Sequence, residues 1–287
     1  MIISQLSEDF SKNYIYRKLK PSTVRGYLTN LNNHILPYFS EKEVDKLTVN
    51  DLDELTDKLV AKGLSNKSIV YVHATLRKMY SYAVKRAYVL YTPYSAFDLP
   101  RVEKYHHTVL NSGQITKLLS LTKNTDMYIP IMLAVRYGLR RGEILGIMPK
   151  IDIDFSACTL HVQRTLTIEN GKRQITSCKT NNSDRRLLLA HQDVLTLKKN
   201  ENKQFLVNIS PNMVDKKFKS IIQKHDFPDV RFHDLRHSYA TYMLSQGVNP
   251  KIVSQVLGHS GIDITLDLYS HPDVSMQKVC LQALQFI

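Results

Sequence analysis

Residues 91–108 separate two long stretches of helical sequence and therefore divide this chain into two parts. This stretch holds two prolines and no apolar periodicity, which is typical of a connection between domains. A chain of 287 residues is long enough for two domains with cores of ordinary size. The predicted boundaries are a first domain over 1–100, a linker over 101–108 and a second domain over 109–287.

The first domain has the pattern of a helical domain. Apolar residues recur every three or four positions over 24–35 and again over 69–83, as they do on the buried face of a helix. Thr48 and Asp51 fit the start of a further helix, because each side chain can hydrogen-bond the backbone of the other. We therefore predict helices throughout residues 1–90.

A strong positive charge indicates a polyanionic partner. The chain has 39 lysines and arginines against 26 acidic residues, a formal net charge of +13. Such an excess favours nucleic acid as the binding partner, and an acidic membrane as the next candidate. The alternative is a basic enzyme with no polyanionic partner. Basic and aromatic residues also share the outer face of the 69–83 helix. Basic residues there are typical of a solvated face, but together with aromatic residues they favour contact with DNA. The candidate DNA contacts are Thr23, Arg25, Lys67, Arg77, Lys78 and Arg141.

The second domain combines helices with a short β region. Helical periodicity follows Asn111 and returns after His191, whereas residues 151–190 contain alternating apolar and polar runs, as strands do. Asn170-Gly171 is typical of a tight hairpin turn. We predict a mainly α chain with one small antiparallel β-sheet in the second domain, an α+β fold.

Several classes of protein are disfavoured by what the sequence lacks. Its three cysteines are scattered and form no Cys-x-x-Cys pair, so neither a disulfide framework nor a zinc ribbon is indicated. No segment reaches the roughly 20 apolar residues of a membrane span, and no signal-peptide pattern opens the chain. The adjacent His106 and His107 have no third ligand nearby. We expect a cytoplasmic protein with no membrane partner, metal or cofactor.

The segment Arg231–Ala240 carries the first sign of chemistry. His233 and Arg236 are three positions apart in a helical pattern, so they lie on one face, one turn apart. A histidine can move a proton, and an arginine offers a planar fork of donors. Such a pair suits the oxygens of a phosphodiester.

Metal-free phosphoryl transfer is the chemistry that best fits the remaining residues. The sequence has neither acidic residues spaced for two-metal catalysis nor a glycine-rich phosphate loop followed by Lys and Ser or Thr. Metal-free transfer needs a nucleophile, an acid and cations. Tyr269 can attack phosphorus, and Lys179 on a turn can reach the leaving 5′ oxygen. Arg140 and Arg236 can hold the non-bridging oxygens.

Five segments in this order resemble the motifs of tyrosine recombinases of the phage integrase type. They are Gly138–Glu143, Lys179–Thr180, His233–Ser238, Leu257–Ser260 and Tyr269–His271. The resemblance covers the second domain by motif and the first domain only by its helical pattern. It implies a two-domain DNA clamp, with a helical, SAM-like core-binding domain followed by a catalytic domain.

The resemblance also implies a role for each matched residue. Arg140 and Arg236 would stabilise the pentacoordinate phosphorus, and Tyr269 would form the 3′-phosphotyrosine link. Lys179 would be the general acid for the 5′ hydroxyl, with Lys172 of the same hairpin as the alternative.

The two motif histidines and the motif glutamate have implied roles as well. His233 would act as an acid or base towards the tyrosine, and His259 would hydrogen-bond the scissile phosphate. Glu143 would orient the arginine rather than contact DNA.

The implied function is integration or excision of a mobile element, such as a phage or a conjugative transposon, by site-specific recombination. Its partners would be double-stranded DNA at specific recombination sites and three further copies of this chain, which together form a tetramer on the synapsed DNA. Proteins that bend the DNA or set the direction of the reaction are further implied partners. Residues 272–287 carry apolar side chains that could pack on their own protomer, and the resemblance implies instead that they dock on a neighbouring one.

Two other functions are open at this point, and two departures from the family are visible. A topoisomerase can use the same tyrosine chemistry without sequence preference, and a non-catalytic clamp can use the same scaffold to bind DNA. Tyr137 stands where the family usually has Thr or Ser. The sequence before residue 10 leaves no room for an arm-binding module, which fits a simpler subset of the family or a fragment.

Overall fold

The structure is a computed structural model that describes residues 1–103, 107–169, 172–177, 183–259 and 261. The chain divides into two compact units, Met1–Tyr105 and His106–Ile287. Four predicted features lie outside the described residues: the turn at Asn170-Gly171, Lys179, Tyr269 and the segment 272–287. Within the described ranges, no helix combines the length and the apolar character that crossing a bilayer requires.

The first unit is built from helices around one apolar core. They are α1 (Ile3–Phe10), α2 (Tyr16–Lys18), α3 (Pro21–Asn30), α4 (Leu36–Phe39), α5 (Val49–Ala61) and α6 (Asn66–Lys85). π-Helical turns at Ser11–Ile15 and Leu31–Ile35 join α1 to α2 and α3 to α4, and 3-10 turns occur at Val44–Lys46 and Pro93–Ser95. The predicted cap of α5 is confirmed, since Asp51 N donates to Thr48 Oγ1 at 3.3 Å and Thr48 N donates to Asp51 Oδ2 at 2.8 Å.

The second unit places helices around short strands. The helices are α7 (Ser112–Thr122), α8 (Tyr128–Tyr137), α9 (Arg141–Gly146), α10 (Pro149–Asp152), α11 (His191–Lys198), α12 (Pro211–Lys224), α13 (Asp234–Ser245) and α14 (Pro250–Leu257). The strands are β1 (Ile153–Asp154), β2 (Thr159–Val162), β3 (Arg164–Glu169), β4 (Lys172–Ser177) and β5 (Arg185–Leu188). The predicted fold class, mainly α with antiparallel strands, is confirmed.

The described strands form two antiparallel sheets, so the prediction of a single sheet was wrong. In one sheet β2 lies between β1 and β5, with Leu160 opposite Leu187; the other is the β3–β4 hairpin. The chain leaves β2 at Gln163, whose Nε2 donates to Asp152 Oδ1 at 2.8 Å. This side-chain bond marks the break between the two sheets.

The predicted strand at 151–155 is shorter than expected, because Ile151 and Asp152 belong to a helical turn. Pro149 opens α10 at a position where its missing N–H costs nothing. The carboxylate of Asp152 then accepts from Met148 N at 2.7 Å and closes the turn. Alternating apolar residues alone did not reveal this local hydrogen bond, which leaves only Ile153–Asp154 extended.

Two glycines bring α9 against the β3–β4 hairpin. A Cβ on Gly142 would lie 2.6 Å from Thr165 Cγ2, and one on Gly146 would lie 3.2 Å from Leu166 N. Because no side chain intervenes, the helix backbone approaches the strand closely. This packing fixes the start of α9, where the first arginine motif lies.

Candidate functional site

Arg140 stands between α8 and α9, where the chain reverses. Gly138 ends α8 in the left-handed conformation, with φ of 63°, which glycine adopts without strain. Arg140 then precedes α9 with extended backbone angles, and its side chain is 34% exposed. The guanidinium group is therefore fixed by its backbone yet open to a ligand.

Glu143 holds Arg140 from one turn along α9, as expected. Arg140 donates to this buried carboxylate from its backbone N to Oε2 at 2.9 Å and from Nη1 to Oε1 at 2.7 Å. Arg185 of β5 donates from the other side, from Nη2 to Oε2 at 3.1 Å. Burial acts to raise the pKa of Glu143, but the charges and hydrogen bonds of Arg185 and Arg140 outweigh it and lower that pKa. The carboxylate is therefore ionised at neutral pH.

Arg236 is a buried cation that has no carboxylate partner among the described residues. Its Nη1 donates to Gly138 O at 2.6 Å and its Nη2 donates to Leu257 O at 2.7 Å. Burial, followed by the charge of Arg140, lowers the pKa of Arg236 to about 9, so the group keeps its proton at neutral pH. A buried cation held only by carbonyls is suited to an anionic ligand.

Three arginines converge on the C-terminal end of α14, from which His259 follows. The bonds are Arg185 Nε to Val256 O, Arg236 Nη2 to Leu257 O at 2.7 Å and Arg140 Nη2 to Gly258 O at 3.0 Å. The carbonyls at a helix C-terminus carry partial negative charge, which favours cations there. One short helix end thus gathers the cations beside His259.

The two motif histidines have environments that favour the neutral imidazole. Burial, followed by the charges of Arg236 and Arg140, lowers the pKa of His259 to about 4. His233 is exposed along one side, while burial of the other side, followed by the charge of Arg236, lowers its pKa. Four of the six predicted catalytic residues therefore lie within electrostatic reach of one another.

A stack of imidazoles lies beside this cluster. The rings of His107 and His237 are 3.7 Å apart and 28° from parallel. His107 Nδ1 lies 2.9 Å from Asp234 Oδ1, and the His237 ring meets the edge of His233 at 5.4 Å between centroids. In the described part of the chain, the buried Nε2 of His237 has no hydrogen-bond partner.

His107, Asp234 and His237 are not arranged as a metal site, although their potential ligand atoms lie within 4.8 Å of one another. Arg231 donates three hydrogen bonds to Asp234, two to Oδ2 and one to Oδ1, each 2.9 Å long. Rings stacked at 28° also direct their in-plane lone pairs nearly parallel, whereas a metal needs them to converge. The cluster instead fixes the N-terminal turn of α13.

The candidate DNA contacts are distributed over both units. Those on α3 and α6 are the exposed Arg25, Lys67 and Arg77 and the half-buried Thr23 and Lys78. Lys78 Nζ lies over the ring of Tyr14, 5.3 Å from its centroid. In the second unit Arg141 pairs with Asp215, so part of its charge is already balanced.

Tyr137, the departure from the family pattern, ties α8 to α11. Its hydroxyl donates to Asp193 Oδ2 at 2.7 Å and accepts from Ala190 N at 2.9 Å. Arg136 Nη1 donates to the other oxygen of the same carboxylate at 2.6 Å. The larger side chain thus forms hydrogen bonds of its own, which hold α8 against the start of α11.

Arg185 is the residue of this cluster that sequence reasoning missed. Its strand alternates, with Arg185 and Leu187 buried and Arg186 and Leu188 exposed. An arginine that shares the inward face of a strand with leucine needs a buried acidic partner. The sequence runs Arg-Arg-Leu-Leu and does not alternate, so it does not show which of the two arginines faces inward. The partner, Glu143, could not be chosen without the fold.

Comparison with known proteins agrees with these features. The sequence profile of the "Phage integrase family" matches residues 108–276, and that of the "Phage integrase, N-terminal SAM-like domain" matches residues 3–60. The ICEBs1 integrase of Bacillus subtilis is 25% identical over 90% of this chain and 76% of its own length.

Solved structures share the fold. The Tn1549 transposon integrase in complex with transposon right end DNA has a TM-score of 0.84 at 21% identity, covering 99% of this chain and 100% of that one. A lambda integrase tetramer bound to a Holliday junction has a TM-score of 0.71 at 15% identity, covering 91% and 78%. The chain belongs to the phage integrase family and is a tyrosine recombinase, an enzyme of site-specific recombination that breaks and rejoins DNA.

Proposed function

We propose that this protein is the integrase of a mobile element and acts through a 3′-phosphotyrosine intermediate. The observation that carries the proposal is the pair Arg140 and Arg236 beside the end of α14, each anchored to a backbone carbonyl there. Among the described residues, the one carboxylate that pairs with any of these guanidinium groups or with that of Arg185 is that of Glu143. The excess positive charge fits a phosphodiester whose negative charge grows as it is attacked.

The proposed reaction consumes no nucleotide and uses no metal ion, because each bond that breaks is replaced by one that forms. The hydroxyl oxygen of Tyr269 bonds to the scissile phosphorus while the bond from phosphorus to the 5′ oxygen breaks. The tyrosine proton passes to His233 or water, and Lys179 donates a proton to the leaving 5′ oxygen. The ester stores the bond energy, so a second 5′ hydroxyl can reverse the step on another strand.

The two histidines suit their proposed roles because neither needs to be charged. His259, whose pKa in the protein without DNA is about 4, is neutral at pH 7 and can donate one N–H to a non-bridging oxygen. His233 has a lowered pKa, so a larger neutral fraction is available to accept the proton of Tyr269.

We also propose that the first domain, residues 1–100, binds the core of the DNA site and that the second, 109–287, is catalytic. The exposed basic side chains of α3 and α6 would contact phosphates, which position the protein without reading sequence. A clamp of these two domains around DNA would use Thr23, Arg25, Lys67, Arg77, Lys78 and Arg141.

Four protomers would act together on two duplexes, with segment 272–287 docking on a neighbour. The lambda integrase tetramer on a Holliday junction supports this assembly for a chain of the same fold. Removing residues 275–287 is expected to reduce assembly on DNA more than binding of one protomer. Assembly on DNA is measured by analytical ultracentrifugation. If the shortened chain assembles as the full chain does, the proposed docking is wrong.

A plasmid assay tests the proposed function against the topoisomerase alternative. One supercoiled plasmid carries the joined ends of the element that encodes this chain, and a matched plasmid lacks them. The expected result in chelator is recombinant product from the first plasmid and no relaxation of the second. Relaxation of both plasmids without strand exchange, or a strict need for a divalent metal, contradicts the proposal.

A further inference from the structure

Arg185 occupies a position in the core that arginine rarely takes without a specific partner. Its side chain is 7% exposed, and it lies on the inward face of β5 beside Leu187. Placing a guanidinium there is unfavourable unless its donors and its charge are both matched. Arg186, the next residue on the same strand, is exposed.

The donors of Arg185 are matched on three sides. The fork faces the carboxylate of Glu143, with Nη1 3.3 Å from Oε1 and Nη2 3.1 Å from Oε2. Nη1 also donates to Ser183 O at 3.1 Å. Nε donates to Val256 O, which lies in the last turn of α14.

The charge of Arg185 decides how much positive charge Arg140 presents. Both oxygens of Glu143 accept from both arginines. If Arg185 were neutral, the carboxylate would balance Arg140 alone, and only Arg236 would remain in excess. The pentacoordinate phosphorus has two negatively charged non-bridging oxygens. With Arg185 neutral, less positive charge would be available to stabilise them.

The bond to Val256 also fixes the position of His259. Three consecutive carbonyls, those of Val256, Leu257 and Gly258, each accept from a different arginine. Two of those arginines are proposed to contact the phosphate, so they respond when DNA binds. Arg185 is the one whose donors all point into the protein, and it therefore holds the helix end whether or not DNA is present.

We propose that Arg185 is a positioning residue for phosphoryl transfer: it balances the charge of Glu143 and anchors the end of α14, and so orients Arg140 and His259 towards the scissile phosphate. This proposal rests on the proposed function, because the phosphate it serves is that of the recombination site. It assigns Arg185 no contact with DNA.

The test separates rate from binding and from stability. Arg185→Met removes the charge and the fork, Arg185→Lys keeps the charge without the fork, and Arg186→Met is the matched surface control. Each variant is mixed in excess with a nicked duplex whose cleavage traps the protein–DNA adduct. The adduct rate at saturation, the Kd for DNA and the thermal midpoint are measured for each.

The expected result is a slower chemical step with nearly unchanged affinity. Arg185→Met is expected to lower the adduct rate roughly 10- to 100-fold, by analogy with residues that orient metal ligands. Its Kd should change less than about 3-fold, since the side chain does not reach DNA. Arg186→Met should match wild type in rate.

A charge-rescue variant separates positioning from mere support of the fold. Combining Glu143→Gln with Arg185→Met restores the excess of positive charge, so the double variant is expected to cleave faster than Arg185→Met alone. A merely structural role predicts the opposite, because two buried partners are then lost. The pKa of His259, followed by NMR, should rise in Arg185→Met, since one nearby cation is gone.

Three results would overturn the proposal. They are an Arg185→Met adduct rate equal to that of Arg186→Met, a double variant no faster than Arg185→Met, and an unchanged pKa of His259. If Arg185→Met does not fold, Arg185→Lys decides, and a rate equal to wild type overturns the proposal. Failure of the wild-type chain to form any adduct instead contradicts the proposed function and is distinguishable from these results.

Discussion

Arg236 joins the ends of two helices through one guanidinium group: Nη2 donates to Leu257 O at 2.7 Å, in the last turn of α14. Nη1 donates to Gly138 O at 2.6 Å, just past the end of α8. The backbone that supports His259 and the backbone that precedes Arg140 therefore share one buried cation. Because of this link, a substitution that displaces either helix end can disturb the site even when every side chain that would bind the phosphate is still present.

Replacing the fork of Arg236 by a single ammonium should slow cleavage far more than it weakens binding. Arg236→Lys keeps one positive charge but cannot bridge Gly138 O and Leu257 O while facing a phosphate. We expect a loss of about 100- to 1,000-fold in the rate of adduct formation, as when one donor to a developing oxyanion is removed. Single-turnover cleavage of a nicked duplex measures it, with Arg186→Lys as the control. A loss below about 3-fold would mean that Arg236 contributes charge alone.

His259 should titrate far below an ordinary histidine in the free protein. Burial and then the charges of Arg236 and Arg140 lower its pKa to about 4, so the ring is neutral at pH 7. A bound phosphodiester adds negative charge and should raise that pKa. Nitrogen-15 NMR of the imidazole, titrated from pH 8 to at least one pH unit below 4, without and with DNA, measures both pKa values. Titration of His259 near pH 6.5 in the free protein contradicts the arrangement.

Gly138→Ala should destabilise the second unit. A Cβ there would overlap Leu257 and lie 2.7 Å from Tyr239 Cδ1, at a φ of +63°. The left-handed backbone costs about 1 kcal/mol and overpacking about 1–3 kcal/mol more. Gly63→Ala shares the positive φ but has nothing within 4 Å, so it isolates the backbone cost of about 1 kcal/mol. Urea unfolding followed by circular dichroism compares the two, and equal losses would show that the contact with α14 is absent.

Acid should weaken the first unit through His73. The hydroxyl of Thr56 donates to Leu52 O at 2.9 Å, so its oxygen accepts from Nε2 of the fully buried His73, 2.9 Å away. Nδ1 then accepts from the hydroxyl of Tyr94 at 3.0 Å. Both ring nitrogens are thus satisfied in the neutral form, and burial lowers the pKa of His73 to about 4.

The sign of this effect follows from the two pKa values. The folded pKa lies below the unfolded value of 6.5, so only the unfolded chain binds the proton between pH 6.5 and pH 4, and stability falls as pH falls through that window. Between pH 7 and pH 5 the loss is about 2 kcal/mol. Hydrogen exchange of α6 amides measures it, and His73→Gln should flatten the pH dependence. An unchanged pH dependence in His73→Gln contradicts the neutral, buried histidine.

Local signals in the sequence predicted much of the fold because they depend on neighbouring residues. The cap at Thr48 needs only Asp51, three positions further along the chain. The strand predicted at 151–155 is confirmed only at Ile153–Asp154, because the carboxylate of Asp152 closes a helical turn that alternation does not reveal. Short apolar runs fit both structures, and the local hydrogen bond decides between them.

The site was predictable only as far as its motifs extend. Arg140, His233, Arg236 and His259 lie in recognisable segments, and the fold brings them together. Arg185 and His107 lie outside those segments, and their partners, Glu143 and Asp234, are far away in sequence. Pairings over such separations depend on the tertiary fold, so residue spacing cannot identify them.

The covalent bond between Tyr269 and DNA is the most direct test of the whole account. The protein is incubated in chelator with a nicked duplex bearing the recombination site, and the adduct is digested and its modified peptide sequenced by mass spectrometry. We predict a nucleotide joined through its 3′ phosphate to Tyr269. Tyr269→Phe should form no adduct but should still bind the duplex. An adduct on another residue, or one that survives in Tyr269→Phe, would contradict this prediction.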